Sequence, residues 1–112
     1  YQKYPNQETK IIRCISGSIY DVIVDLRKNS NTYLKYHSVI LSEKNRKMLY
    51  VPKGCAHGFL SLKNNSEVFY LVSSMYNPKS EKGLNYKDPK IGIKWPIKIT
   101  SITEKDNSWE FL

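Results

Sequence analysis

Ile19-Tyr20-Asp21-Val22-Ile23-Val24-Asp25-Leu26 is eight residues of β-branched, aromatic and acidic side chains with no helical spacing. In an extended strand, successive side chains point to opposite faces. Tyr20, Val22, Val24 and Leu26 then make one wholly apolar face, which belongs in a core. Asp21 and Asp25 share the other face with Ile19 and Ile23. Two readings of that second face stand. It is a solvent face carrying two charges, or it lines the mouth of a barrel, where a carboxylate can orient a base or hold a ligand.

Similar runs lie on both sides of this strand. Lys10 to Ile15, Thr32 to Leu41, Lys47 to Val51, His57 to Leu62 and Glu67 to Ser73 are rich in Ile, Val, Tyr and Phe, and Asn, Ser, Gly or Pro mark the joins. Those joining residues favour turns for local backbone reasons. Short strands at this spacing predict an all-β fold, an antiparallel sandwich or jelly roll. Ser42 to Arg46 reads as a helical turn capped by Ser42. Beyond Tyr76, Pro78, Gly83, Pro89, Gly92 and Pro96 predict a loop-like segment.

The segment from His57 to Ser73 reads as a hairpin turning at Asn64-Asn65, since Asn tolerates positive φ. That register pairs Phe59 with Tyr70 and puts His57, Phe59 and Ser61 on one face with Val68, Tyr70 and Val72. His57 and Tyr70 are thereby expected to face one cavity, either as core residues or as site residues.

The chain has 112 residues, the size of one domain able to bury roughly two-thirds of its unfolded surface. Hydrophobic residues at 40% and charged residues at 25% fit a folded globular protein rather than a disordered one. No apolar run approaches the ~20 residues of a membrane helix. The chain shows no charged-then-apolar leader, and its two cysteines, Cys14 and Cys55, are too few for a disulfide framework, so reduced thiols in the cytoplasm are expected. The net charge of +8 admits an anionic partner. Its basic residues are scattered lysines with only Arg13, Arg27 and Arg46 as arginines, which fits a diphosphate-bearing ligand better than nucleic acid.

Most catalytic templates are absent. Two histidines, His37 and His57, without HxH, HExxH or CxxC argue against a metal site. There is no G-x-S-x-G elbow, Walker loop or GxGxxG. The remaining acid–base candidates are Lys10, Asp21, His57, Tyr70, Glu81, Lys105 and Asp106.

Val51-Pro52-Lys53-Gly54-Cys55-Ala56-His57-Gly58-Phe59-Leu60 resembles the PEGFAHGF segment of dTDP-4-dehydrorhamnose 3,5-epimerases. Lys10 to Cys14, Tyr20 to Arg27, Leu41 to Arg46, Tyr76-Asn77-Pro78, Asp88-Pro89, Ile91 to Ile93, Trp95-Pro96 and Glu104 to Asp106 follow in that family's order. The resemblance covers essentially the whole chain. It implies a cupin-like jelly roll (double-stranded β-helix) that works as a homodimer without a cofactor. The substrate it implies is a dTDP-linked 4-keto-6-deoxy sugar, epimerised by proton abstraction beside the C4 ketone.

On this match Tyr70 is the proton donor, Lys10 stabilises the enolate oxygen, Asp106 orients the catalytic histidine and Asp21 lines the site. His57, Glu81, Lys105 and Arg13 contact substrate. The family's base lies in a segment like RGLHYQ, and this chain begins at the YQ. The resemblance therefore implies a single domain, 1–112, lacking upstream strands and the base just before Tyr1. Cys55, Tyr50, Leu71, Met75 and Tyr86 depart from the family's residues. The other function classes that fit are a non-catalytic sugar-nucleotide or carbohydrate-binding module on the same fold and a ketosugar-nucleotide isomerase.

Overall fold

In the computed structural model of residues 1–112, one residue turns the chain from a first strand, β1 (Lys10–Ser16), into β2 (Ser18–Asp25). That residue is Gly17, at φ +80°, a left-handed conformation that costs side-chain-bearing residues most. A Cβ here would also collide with Ser66 Oγ. The Ser66 hydroxyl accepts from the Ser18 amide at 3.2 Å and lies within donating distance of the carbonyls of Lys63 and Ser18. Corner and distant turn are thus pinned together.

Four more strands follow: β3 (Tyr36–Ser42), β4 (Met48–Val51), β5 (Cys55–Ser61) and β6 (Glu67–Val72). They form two three-stranded antiparallel sheets, β4-β1-β6 and β3-β2-β5, in a jelly-roll sandwich. Between the sheets lie Ile12, Cys14, Ile19, Leu41 and Val51, with Val39, Leu49 and Val68 packed against them. Each of the large aliphatic side chains among them contributes about 1.5–3 kcal/mol by leaving water.

A second apolar cluster covers the other face of β3-β2-β5. Val22, Val24 and Ala56 are closed over by Ile91, with Leu84, Ile93 and Trp95 from the C-terminal segment alongside. The Tyr20-Val22-Val24-Leu26 face is therefore buried beneath the tail, and the Asp21 face points between the sheets. Asp21 is 0% exposed and Asp25 6%, so the solvent-face reading is overturned. Both faces of β2 are covered because the molecule has a third layer of chain.

The expected hairpin is also corrected. β5 pairs with β2 and β6 with β1, in different sheets. Asn65 does take positive φ, at 57°, but the turn carries the chain across the sandwich. The third strand starts at Tyr36 rather than Thr32, since residues from Ser30 to Thr32 fold back onto Asp25. Ser42 Oγ accepts from the Asn45 amide in a single turn before β4. The C-terminal segment contains one short helix not anticipated from its prolines and glycines, α1 (Glu104–Asn107), capped by Thr103. No helix is long and apolar enough to cross a membrane.

Candidate active site

β5 bonds to β2 along one edge only, so its other edge is open. A cavity of about 630 Å³ runs along that edge, and consecutive residues Ala56 to Leu60 all line it. Such a run can contact one cavity only where the cavity meets the edge of the strand as well as its faces.

His57 is held from within. Its Nε2 lies 2.5 Å from Asp21 Oδ1, and the carboxylate is wholly buried. Asp21 Oδ2 has no hydrogen-bond partner. A buried carboxylate relies on the few polar groups that reach it, so the imidazole is the partner that sustains Asp21. The Nε2 edge of the ring is thus committed to Asp21. Nδ1 has no protein partner and is the nitrogen free for a ligand.

Tyr70 and Lys10 come from the other sheet. Tyr70 is opposite Ile12, a buried inter-sheet residue, and Lys10 is two positions along β1. Both therefore sit on the inner face, and both line the cavity with His57. His57 and Tyr70 meet across the sandwich rather than along a hairpin. Tyr70 is 57% exposed, so its phenol stands free for an incoming molecule. The Lys10 ammonium lies 3.3 Å from Glu8.

The C-terminal segment supplies the remaining wall. Glu81 and Asp106 line the cavity, and Lys105 Nζ lies 2.5 Å from Glu81 Oε1. Tyr76 donates to Glu81 Oε2 at 2.8 Å, with the Lys105 ammonium 5.9 Å from its ring centroid. The Lys105 hydrogen bond, then that of Tyr76, holds the Glu81 carboxyl below its usual range. The same contacts raise Lys105 and the Tyr76 phenol. Tyr76 was not singled out as a candidate from the sequence; its signal was only its place beside Asn77-Pro78. Trp109, Asn85 and Thr103, which also line the cavity, gave no signal of their own.

Of the candidates, Lys105 reaches the cavity wall only through Glu81, and Arg13 lies elsewhere. Arg13 is on the outer face of β1, between Met48 of β4 and Phe69 of β6, and the structure does not bring it to the cavity. Asp25, the sequence neighbour of Asp21 on one face, is consumed locally. It accepts from the Arg27 amide, Nε and Nη2 at 2.9, 2.9 and 3.0 Å and from the hydroxyls of Ser30 and Thr32. The Arg27 side chain is the main reason its carboxyl sits far below the ordinary range. No three His, Cys, Asp or Glu side chains converge as a metal ion would require. Cys14 and Cys55 are free thiols, and burial pushes that of Cys55 up.

The sequence profile of the dTDP-4-dehydrorhamnose 3,5-epimerases matches residues 1–112. The chain belongs to that family. It is 44% identical over 104 residues to the dTDP-4-dehydrorhamnose 3,5-epimerase of Methanothermobacter thermautotrophicus, covering 90% of this chain and 56% of the relative. The Bacillus anthracis enzyme of the same name, solved with TDP and pyrophosphate bound, superposes with a TM-score of 0.96 at 40% identity, over 100% of this chain and 64% of that one. A Legionella pneumophila epimerase solved with dTDP-4-keto-L-rhamnose gives 0.93 at 32% identity, over 98% and 59%. The epimerase fold of these relatives is the cupin-like jelly roll expected here, and the chain spans about 56% of the length of the first relative.

Proposed function

We propose that the protein containing these residues epimerises a dTDP-linked 4-keto-6-deoxyhexose in dTDP-rhamnose-like deoxysugar synthesis. One observation carries this reading: Tyr70, Lys10, His57 and Asp106, from both sheets and the tail, converge on one cavity. The C4 ketone acidifies the hydrogens at C3 and C5. A base removes one, the electron pair passes into the enolate, and Lys10 balances the charge on its oxygen. Tyr70 returns a proton to the carbon from the opposite face. No net oxidation occurs, so the reaction needs no cofactor.

Asp106 orients the base, which family resemblance puts immediately before Tyr1. Tyr1 lines the cavity, which supports that position for the base. His57, Glu81 and Lys105 bind the sugar nucleotide. The free thiols fit a cytoplasmic setting.

The partner is a second copy of the protein. The outer face of β4-β1-β6 carries Tyr50, Ile11 and Leu71 in one cross-strand row and Met48, Arg13 and Phe69 in the next. Tyr50, Leu71, Met48 and Phe69 are each more than half exposed, an apolar surface suited to sheet-on-sheet pairing.

Proton NMR in D₂O with dTDP-4-keto-6-deoxyglucose tests the reading, using this chain and the chain extended by one histidine before Tyr1. The extended chain is expected to wash out the C3 and C5 hydrogens, and the 112 residues alone to do so ~10²–10⁴-fold more slowly. Retention of both hydrogens with the extended chain overturns epimerisation. A relocated ketone identifies an isomerase instead.

A further inference from the structure

α1 buries none of its four residues, and a helix of one turn has almost no stability of its own. Residues 100–108 are exposed throughout. Yet this segment places Asp106 at the cavity wall and Lys105 on Glu81. Something outside α1 must fix its position.

The chain is tied down just beyond it, at Trp109 and Leu112, by two buried side chains from the preceding loop. Asn85, 8% exposed, donates its amide Nδ2 to the Trp109 carbonyl at 2.7 Å. Asp88, 2% exposed, accepts the Leu112 amide at Oδ2 at 2.6 Å. Between these two points the Trp109 indole lies flush on Gly83, so closely that a Cβ on residue 83 would collide with it. Apart from Lys105–Glu81, these are the polar ties between residues 99–112 and the rest of the chain.

The anchors are themselves rigid. Asn85 Oδ1 accepts from the Lys87 amide at 3.0 Å and Asp88 Oδ1 from the Lys90 amide at 2.8 Å, so each side chain braces its own turn with one oxygen. The Asp88 carbonyl takes the amides of Ile91 and Gly92, and Ile91 is embedded in the cluster over Val22 and Val24. A buried amide or carboxylate committed to the main chain of a remote segment is costly to leave unpaired. Here it links that segment to the sheet bearing His57.

We propose that Asn85 and Asp88 are positioning residues for the site: by clamping the main chain at Trp109 and Leu112 they set where α1 presents Lys105 and Asp106 to the sugar nucleotide. The proposal rests on the reading of the cavity as a dTDP-sugar site, and dTDP itself is the probe.

Calorimetric titration of dTDP is made with the unsubstituted chain, Lys105→Ala, Asn85→Asp, Asp88→Asn and the pairs of each clamp variant with Lys105→Ala. Asn85→Asp keeps the bond to Lys87 and sets an oxygen against the Trp109 carbonyl. Asp88→Asn keeps the bond to Lys90 and sets an NH₂ against the Leu112 amide. Each single substitution is expected to weaken binding about tenfold, the scale of one charge-assisted contact. The pairs are expected to bind no more weakly than the singles, because the clamp acts through Lys105 and its helix. With ¹⁹F-labelled tryptophan, the Trp109 resonance moves in the clamp variants while that of Trp95 stays.

Additive losses in the pairs, or unchanged affinity in either folded clamp variant, overturn the proposal while leaving the site reading intact. Failure of the unsubstituted chain to bind dTDP overturns the site reading itself.

Discussion

The Asp21 carboxylate reaches His57 across one strand pair, Oδ1 to Nε2 at 2.5 Å, from a position with no exposed surface. The two are diagonal neighbours: His57 is opposite Ile23, and Asp21 opposite Phe59. Because Asp21 has no other partner, it dictates which ring nitrogen carries the proton. Long-range ¹H–¹⁵N spectra are expected to show the neutral imidazole of His57 as the Nε2–H tautomer, and as a mixture in Asp21→Ala. An Nδ1–H tautomer in the unsubstituted chain refutes the orientation.

Tyr70→Phe separates chemistry from folding. Tyr70 is 57% exposed, so loss of its hydroxyl should change stability by no more than about 0.5 kcal/mol. If the phenol returns the proton, epimer formation by the histidine-extended chain falls ~10²–10⁴-fold, while dTDP affinity holds. Equal epimer yield from the variant removes Tyr70 as donor.

Asp25 predicts a pH signature. Its folded carboxyl is held below the ordinary 3.8, chiefly by Arg27. Stability from its ionised form is therefore complete above about 3.8 and drains away as pH falls towards the folded value. Asp25→Asn is expected to cost about 1–3 kcal/mol at pH 7, since the Ser30 and Thr32 hydroxyls and the Arg27 amide lose a charged acceptor. In urea titrations the gap between the two proteins stays level from pH 5 to 8 and narrows below 4. A gap that widens on acidification contradicts the assignment.

Alternation along β2 was legible, and with it the opposition of Val22 and Asp21. That the Asp21 face is covered as well as the apolar one was not, because alternation marks the apolar face as core but does not show that a second sheet closes over the other. The Asn64-Asn65 turn was legible as a turn, but a short loop can close a hairpin or cross a sandwich with the same residues. The bonds of the Ser66 hydroxyl to Ser18 show which occurred. His57 and Tyr70 do share a cavity, by a route the hairpin register did not describe. Of the site, the charged candidates were visible by residue type. Tyr76 and Trp109 were not, since an aromatic side chain looks alike in a core and at a cavity wall.

The outer face of β4-β1-β6 yields the last test. Leu71 and Tyr50 flank Ile11 on adjacent strands, and Phe69 and Met48 flank Arg13. Leu71 is 56% exposed and Tyr50 61%, so a charge at either position is well hydrated in a monomer. A change of stability beyond about 0.5 kcal/mol is therefore not expected from Tyr50→Lys in an isolated chain. In a pair related by two-fold symmetry the same patch meets its own copy, so one substitution inserts two cations into one apolar contact. Like charges brought together and desolvated cost several kcal/mol, enough to dissociate a micromolar dimer. Sedimentation velocity should show the unsubstituted chain as a dimer and Tyr50→Lys as a monomer with the same thermal midpoint when both are dilute. A monomer in both cases removes the second copy as the partner of this face. A dimer that survives the lysine assigns the contact to another surface.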